Sequence, residues 1–256
     1  MTDVRQVISE RKVCVVVPTY NNGATIAGVL RRVAAMTEHI VVVVDGCTDN
    51  TREQLARLTD LKLQVVDYAL NRGKGYALLA GFKHAISRGY EYAVTIDGDG
   101  QHFPEDIALL IGAMVAHPDA LIVGARRMEH ENMPVGNTFA NRFSNFWFVV
   151  QTGLYLPDTQ TGLRLYPLRR LSGVHLVTSR YEAELELLVF AAWAGVELLP
   201  VPVRVYYPPQ GQRVTHFRPL ADFGRIAVLN AVLCVAALFY GWPRTLFRKL
   251  VRSRDD

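Results

Sequence analysis

Cysteine is scarce in this chain of 256 residues, limited to Cys14, Cys47 and Cys234. An odd number at scattered spacing builds neither a disulfide framework nor a zinc site, which points to a reducing compartment. Each reads as a small apolar filler. The opening Met-Thr-Asp-Val-Arg-Gln lacks the apolar core of a signal peptide, so the active part is expected to stay in the cytoplasm. No Gly-x-Gly-x-x-Gly follows the first apolar run, which argues against a dinucleotide oxidoreductase. The Gly-x-x-x-x-Gly-Lys-Ser/Thr spacing of a P-loop is missing too. Internal repeats, low-complexity tracts and domain-cutting linkers are also absent. The net charge is only +4, and no nucleic-acid partner is expected. Positive charge is instead gathered at the C-terminus, in Arg244, Arg248, Lys249, Arg252 and Arg254.

Half of the residues are hydrophobic, enough for one large core or one domain with an appendage. The apolar runs at 13–17, 40–44, 63–66, 93–96 and 121–123 are continuous, which predicts strands buried on both faces. Helical stretches lie between them: 24–36, a second after the N-cap candidates Thr48-Asp49-Asn50-Thr51, then 76–87 and 104–116. This alternation predicts an α/β doubly wound, mostly parallel sheet with helices on both faces. Polar residues gather after each strand, where such sheets bind ligands.

Beyond Arg126 the character changes. Residues 137–152 are amphipathic and aromatic-rich, 158–166 read as a Gly-containing polar loop, and 181–193 as a helix. Residues 196–206 read as an edge strand interrupted by Pro200 and Pro202. The stretch 226–242 is apolar and, as a helix, would span about 26 Å, slightly short of a roughly 30 Å hydrocarbon core. The chain thus divides into a domain over 1–218 and a C-terminal apolar helix with a basic tail over 219–256.

The chemistry centres on Asp97-Gly98-Asp99-Gly100-Gln101-His102-Phe103-Pro104, directly after an apolar run. Gly98 and Gly100 are expected to supply unusual dihedrals and Pro104 to start the next helix. An extended Asp-Gly-Asp aims both carboxylates into one crevice. Two hard oxygen ligands suit Mg²⁺ or Mn²⁺ carrying a diphosphate, with a carbonyl of Gln101 as a third. The plainer alternative is a polar turn capping a helix. Asn71-Arg72-Gly73-Lys74-Gly75 precedes the 76–87 helix, and its glycines and positive charge suit an anion at a helix N-terminus, or else a basic surface turn. In Pro18-Thr19-Tyr20-Asn21 a nucleobase could stack on Tyr20 and hydrogen-bond to Asp45; ordinary packing and a turn are the alternatives. Arg126, Arg142 and Arg164 are either bidentate phosphate ligands or solvated surface arginines.

VVVPTYNN, VVVDGCTDNT, NRGKGYALLAGFKHA, TIDGDGQHFPEDI, IVGARR and DTQTGLRLY run in order from Val15 to Tyr166. With these segments the chain resembles family 2 glycosyltransferases of the GT-A fold, and more narrowly dolichyl-phosphate (polyprenyl-phosphate) mannosyl- and glucosyltransferases. The likeness continues weakly to about residue 206. It implies that Pro18, Tyr20 and Asp45 hold the base, with Asn22 and Lys74 also in the nucleotide-sugar site. It implies that Asp97 lies near the ribose and metal, that Asp99 and Gln101 bind the metal, and that Arg126, Arg142 and Arg164 surround the diphosphate and acceptor phosphate. Asp158-Thr159-Gln160 resembles the glucosyl branch, which favours a UDP-sugar over a GDP-sugar. Asn22 stands where the family usually has Glu, Val44-Asp45-Gly46-Cys47 replaces Asp-Asp-Gly-Ser, and one apolar stretch stands where paired transmembrane helices are frequent.

The resemblance implies an inverting sugar transfer from a nucleotide diphosphate sugar. An alcohol nucleophile needs a general base, for which Asp158, Glu182 and Glu184 are the candidates. A polyprenyl phosphate is already largely ionised, with a second pKa of about 6, and needs cations instead. The arginines, with Arg218, suit that need, so a lipid phosphate acceptor is expected. A hydroxyl acceptor and a non-catalytic nucleotide-sugar-binding protein are the alternatives. Basic residues on both flanks of 226–242 suit a helix lying in the cytoplasmic leaflet, which makes the protein peripheral or monotopic on the cytoplasmic face. Close packing on the domain through Ala227, Ala231, Ala236 and Ala237 is the other possibility.

Overall fold

The computed structural model describes residues 3–126, 135–171, 173, 176–207 and 219–252. Seven strands form one sheet: β1 (Val13–Thr19), β2 (Ile40–Asp45), β3 (Leu63–Tyr68), β4 (Tyr92–Thr95), β5 (Leu121–Arg126), β6 (Arg164–Pro167) and β7 (Leu198–Val203). Their order is β3-β2-β1-β4-β6-β5-β7. All pairs are parallel except those of β6, which runs against β4 and β5. The helices are α1 (Val4–Glu10), α2 (Ile26–Ala34), α3 (Thr51–Ala56), α4 (Lys74–Ser87), α5 (Ile107–Ala116), α6 (Val135–Thr152), α7 (Glu182–Ala194), α8 (Pro219–Ala236) and α9 (Trp242–Arg252).

Every residue of β1 and β2 is buried. Strand alternation splits them between two cores. Val13, Val15 and Val17 join α1, α2 and α5 on one face, while Cys14 and Val16 join α4 and α7 on the other. The Pro-containing β7 lies at the sheet edge, beside β5, where missing N–H donors cost least. β6 is a departure from the expected loop over 158–166. Four residues, Arg-Leu-Tyr-Pro, are too few to show a period, and they form a strand because β4 and β5 stand open on either side.

Pro18 has a use in this frame. Val16 O accepts Ile96 N at 3.1 Å, so even-numbered residues of β1 face β4. Pro18 is the next of them and has no N–H to offer. The β1–β4 register ends at Val16↔Thr95, and the two strands part beyond it. The chain runs outward through β2 and β3 on one side of β1 and continues at β4 on the other. Their parting therefore opens a crevice at the topological switch point.

The apolar stretch 226–242 is the middle of a longer helical run. α8 passes through a π-helical turn, Ala237–Gly241, into α9. Leu229, Asn230, Leu233 and Ala237 are buried against α6 and α7, and Gln151 Nε2 donates to Asn230 Oδ1 at 2.9 Å. Ala227 and Ala231, expected to serve that packing, are exposed instead. The outer face repeats Val228, Val232, Val235 and Phe239 at helical spacing, all exposed.

Candidate functional site

Three loops rim the crevice, and short polar side chains tie them together. Asn21, in the left-handed region at φ 52°, accepts Thr48 N at 2.8 Å and Asp49 N at 3.3 Å on its Oδ1. Asp49 in turn accepts Gly23 N at 2.9 Å and Thr51 Oγ1 at 2.6 Å. Asn22 turns inward, its Nδ2 donating to Thr19 Oγ1 at 3.2 Å. Pro18 is buried within β1, and Tyr20 is half-buried at the strand's mouth. Asp45 is buried and accepts Arg72 N at 2.7 Å, Gly73 N at 2.9 Å and Asn71 Nδ2 at 3.0 Å. The anion that 71–73 wraps around is thus the protein's own carboxylate, since the loop folds back over the end of β2.

Lys74, the first residue of α4, reaches across the crevice. Its Nζ lies 2.9 Å from Asp97 Oδ1 and 2.8 Å from Glu184 Oε2, which projects from α7. Burial opposes the charge on Lys74, but Asp97 and Glu184 outweigh it and hold the ammonium above its ordinary value. Burial likewise opposes the charge on Asp97, and the Lys74 ammonium, by its charge and its hydrogen bond, holds it below the usual carboxylate range. For Asp99, burial and then the Asp97 charge push the carboxyl up to about 6. Its Oδ1 accepts Gln101 N at 2.9 Å, and Oδ2 has no partner among the described residues. The Gln101 backbone carbonyl accepts Tyr206 N at 2.8 Å.

This donor set fits a hard divalent cation. Asp97 already holds a cation in Lys74, and Asp99 offers an oxygen without a donor beside a second carboxylate. Among the described residues no further His, Cys, Asp or Glu completes a cluster of three around them. Only Gly100 of the two turn glycines has a positive φ, 78°. Gly98 is closely packed: a Cβ there would stand 3.1 Å from Thr19 Oγ1 and 3.2 Å from Asn22 Nδ2. His102 is buried beside this turn with Nδ1 unpartnered. Burial, with Arg126 and Lys74 nearby, pulls it down to about 4 although Asp97 opposes that shift, so the imidazole is neutral.

The arginines do not converge as the sequence suggested. Arg164 on β6 is wholly buried, donating to Glu184 O at 2.9 Å and Thr159 O at 2.8 Å. Because β6 is an interior strand, its side chain lies under the crevice floor and binds carbonyls, not a phosphate. Arg126 ends β5 and clamps Asp158, Nε to Oδ2 at 2.5 Å and Nη2 to Oδ1 at 2.9 Å. Asp158 also accepts Asn141 Nδ2 at 2.6 Å and Gln160 N at 3.0 Å. Fully buried and surrounded by donors, it cannot serve as a general base. Arg142 points outward on α6, away from this cluster. Arg218 lies outside the described residues.

Three features of the site were not anticipated. Gly162 packs its backbone on Asp97. Asp106 of the Pro-Glu-Asp turn accepts Arg204 N at 2.7 Å and Nη2 at 2.6 Å, which fixes 204–207 over Gln101. Glu182, considered only as a base, lines a groove of about 230 Å³ with Phe143, Gln160, Tyr181 and Ile226. Its Oε2 is buried without a hydrogen-bond partner. The first was signalled by the Thr-Gly after Asp158-Thr159-Gln160; the other two depend on chain segments far apart in sequence.

Residues 14–161 match the model of glycosyl transferase family 2. The chain is 28% identical over 220 residues to the UDP-N-acetylglucosamine–dolichyl-phosphate N-acetylglucosaminyltransferase of Methanococcus voltae, covering 78% of this chain and 88% of that protein. It is 30% identical over 204 residues to the polyprenol monophosphomannose synthase of Mycolicibacterium smegmatis, covering 75% of this chain and 77% of that one. Glucosyl-3-phosphoglycerate synthase from Mycobacterium tuberculosis, solved with Mn²⁺, UDP-glucose and phosphoglyceric acid, superimposes with a TM-score of 0.65. It covers 91% of this chain and 82% of that one at 16% identity, a likeness of fold. The family match spans more than half of the sequence and takes in every strand that opens onto the crevice from β1 to β4, and by it the chain belongs to glycosyl transferase family 2.

Proposed function

We propose that this glycosyltransferase moves a sugar from a nucleotide diphosphate sugar, UDP-linked in preference to GDP-linked, to a polyprenyl phosphate, with inversion. The observation that carries the reading is the Asp97–Asp99 pair at the parting of β1 and β4, with Lys74 across from it. Asp97, Asp99 and Gln101 would hold Mg²⁺ or Mn²⁺, which when bound neutralises charge on the departing diphosphate. Tyr20 at the strand mouth offers its ring to the base. Lys74 presents a fixed positive charge where diphosphate and acceptor meet. Inversion is supported at two of the three candidate carboxylates: Asp158 is bound by Arg126 and Glu184 by Lys74, so neither of these is free to form a covalent glycosyl intermediate. The relatives named for dolichyl phosphate, polyprenol monophosphomannose and UDP-N-acetylglucosamine support the acceptor and donor classes.

The catalytic unit runs to about residue 218, and the segment after it lies on the cytoplasmic face of the membrane. Within the stretch Gly224–Arg248 the most apolar 18-residue window has mean hydropathy 1.8, and only 28% of that window is buried, unlike the core helix of a globular domain. Its outward face is apolar, and Arg244 and Arg248 follow, as suits a helix lying on anionic lipid.

A second reading, transfer to a hydroxyl, is favoured by one observation: the unpartnered Oε2 of Glu182 beside the crevice. One experiment separates the two. Membranes and enzyme are incubated with radiolabelled nucleotide sugars, and the labelled lipid is treated with mild acid. A sugar phosphate is acid-labile and its formation survives Glu182→Gln. Acid-stable label whose formation requires Glu182 would establish the hydroxyl acceptor.

A further inference from the structure

α7 has Glu184 in the catalytic crevice at one end and a second cavity at the other. Ten residues of helix separate Glu184 from Ala194, about 15 Å. Arg169 and Arg170 follow β6, whose last residue, Pro167, pairs with Tyr92 at the start of β4. The cavity therefore lies toward the opposite end of the strands from Asp97. Its volume is about 660 Å³, the size of a small-molecule site.

Its walls are apolar: Phe190, Trp193 and Ala194 of α7, with Ala236 and Tyr240 from the end of α8 and the π-helical turn. That turn is built onto the indole. A Cβ on Gly241 would stand 2.3 Å from Trp193 Nε1, so only glycine lets the turn seat there. Trp193 Nε1 donates to Gln151 O at 3.0 Å, and Arg248 Nη1 donates to Trp193 O at 2.9 Å. Arg169, Arg170 and Arg244 complete the lining, and none of the lining residues is acidic. Arg244 sits over the Tyr240 ring and donates to its hydroxyl; Arg170 Nε is 3.9 Å from Asp119, a loose pairing. Phe239, next to the lining residue Tyr240, is 81% exposed, and Phe247 in α9 is 68% exposed.

We infer that this cavity binds an anionic phospholipid of the bilayer, its phosphate between the arginines and the start of its chain against Phe190 and Trp193. The inference rests on the membrane reading above. Three guanidinium groups along one apolar cavity, with Asp119 only loosely paired to Arg170, suit a phosphate. Apolar walls continuous with a lipid-facing stripe select one that carries a chain. A lipid held at this end would anchor α8 along its length. Its start, where Ile226 borders the Glu182 groove, would then face the same bilayer.

The test uses the full chain and dihexanoyl-phosphatidylglycerol below its micellar concentration, followed by calorimetry. Saturable binding is expected, about tenfold weaker for dihexanoyl-phosphatidylcholine, with no competition by glycerol phosphate. Arg170→Gln/Arg244→Gln, and separately Ala194→Phe, which fills the cavity, should each weaken binding by about tenfold with the melting temperature retained. Equal binding of the two lipids, full competition by glycerol phosphate, or binding unchanged in both variants overturns the inference. Vesicles of phosphatidylcholine and phosphatidylglycerol separate the two levels. Sedimentation with vesicles but no short-chain lipid binding leaves the membrane reading and removes the cavity. Short-chain binding without sedimentation does the reverse.

Discussion

Gly162 and Asp97 stand so close that a Cβ on Gly162 would lie 2.1 Å from Asp97 Oδ2. Thr95 Oγ1 donates to Gly162 O at 2.8 Å and holds the loop in that position. Gly162→Ala must therefore displace the carboxylate or the loop. Transfer should fall by about a hundredfold, the scale of a misplaced site group, with a small change in melting temperature. Unchanged kcat/KM would mean that Asp97 need not stand where it does.

Asp99→Ala should abolish transfer and Mn²⁺ binding while the fold persists. The carboxylate accepts one hydrogen bond, from Gln101 N, so little structure depends on it. Paramagnetic titration of free Mn²⁺ reads the binding directly. Equal activity in EDTA and in Mn²⁺ would contradict the metal assignment.

Tyr20→Ala should weaken binding of a nucleoside diphosphate by roughly 1–3 kcal/mol, the range for an aromatic under a base. Tyr20→Phe should bind almost as well as the native protein. Calorimetry showing the same loss in both would assign the contact to the hydroxyl.

Arg164→Met should lower stability and leave the acceptor KM of the folded fraction near its native value. Substitution strands the carbonyl of Thr159 in a buried site, at about 1–3 kcal/mol, while the Glu184 carbonyl keeps its partner within α7. Urea unfolding and acceptor titration separate the two effects. A raised KM at native stability would return Arg164 to the phosphate.

Asp158→Asn leaves the Arg126 guanidinium largely buried without its counter-charge and should cost about 3–5 kcal/mol. Burial alone would raise the Asp158 carboxyl; the Arg126 hydrogen bond and charge, with the N–H groups of Gln160 and Arg126, outweigh it and hold it low. A carboxyl held low when folded stabilises above its unfolded value of about 3.9, and that stability is lost as pH falls through the folded value. Native protein should thus lose stability below about pH 4 by more than the variant does, measured as urea midpoints against pH.

Much of this architecture was legible because it rests on local pattern. The runs at 13–17 and 40–44 read as buried strands since both faces are covered, and they are. The Asp97–Gln101 turn showed itself by glycine and carboxylate spacing alone. The sequence was silent where side chains of the right type met internal partners. Asp45 and Arg164 look like ligand contacts in one dimension, yet Asp45 accepts N–H groups of the 71–73 loop and Arg164 donates to the carbonyls of Thr159 and Glu184.

The sequence by itself determined the doubly wound sheet, the crevice at the strand ends, the carboxylate pair and the apolar C-terminal helix, because periodicity and turn chemistry act over a few residues. The tertiary structure alone decided which charges face the crevice. β6 entered between β4 and β5 and carried Arg164 under the floor; Arg126 closed on Asp158; Lys74 bridged Asp97 and Glu184. The reason is physical. A buried charge costs several kcal/mol unless it is paired, so each found the nearest opposite charge or carbonyl in space, and the sequence does not state those distances.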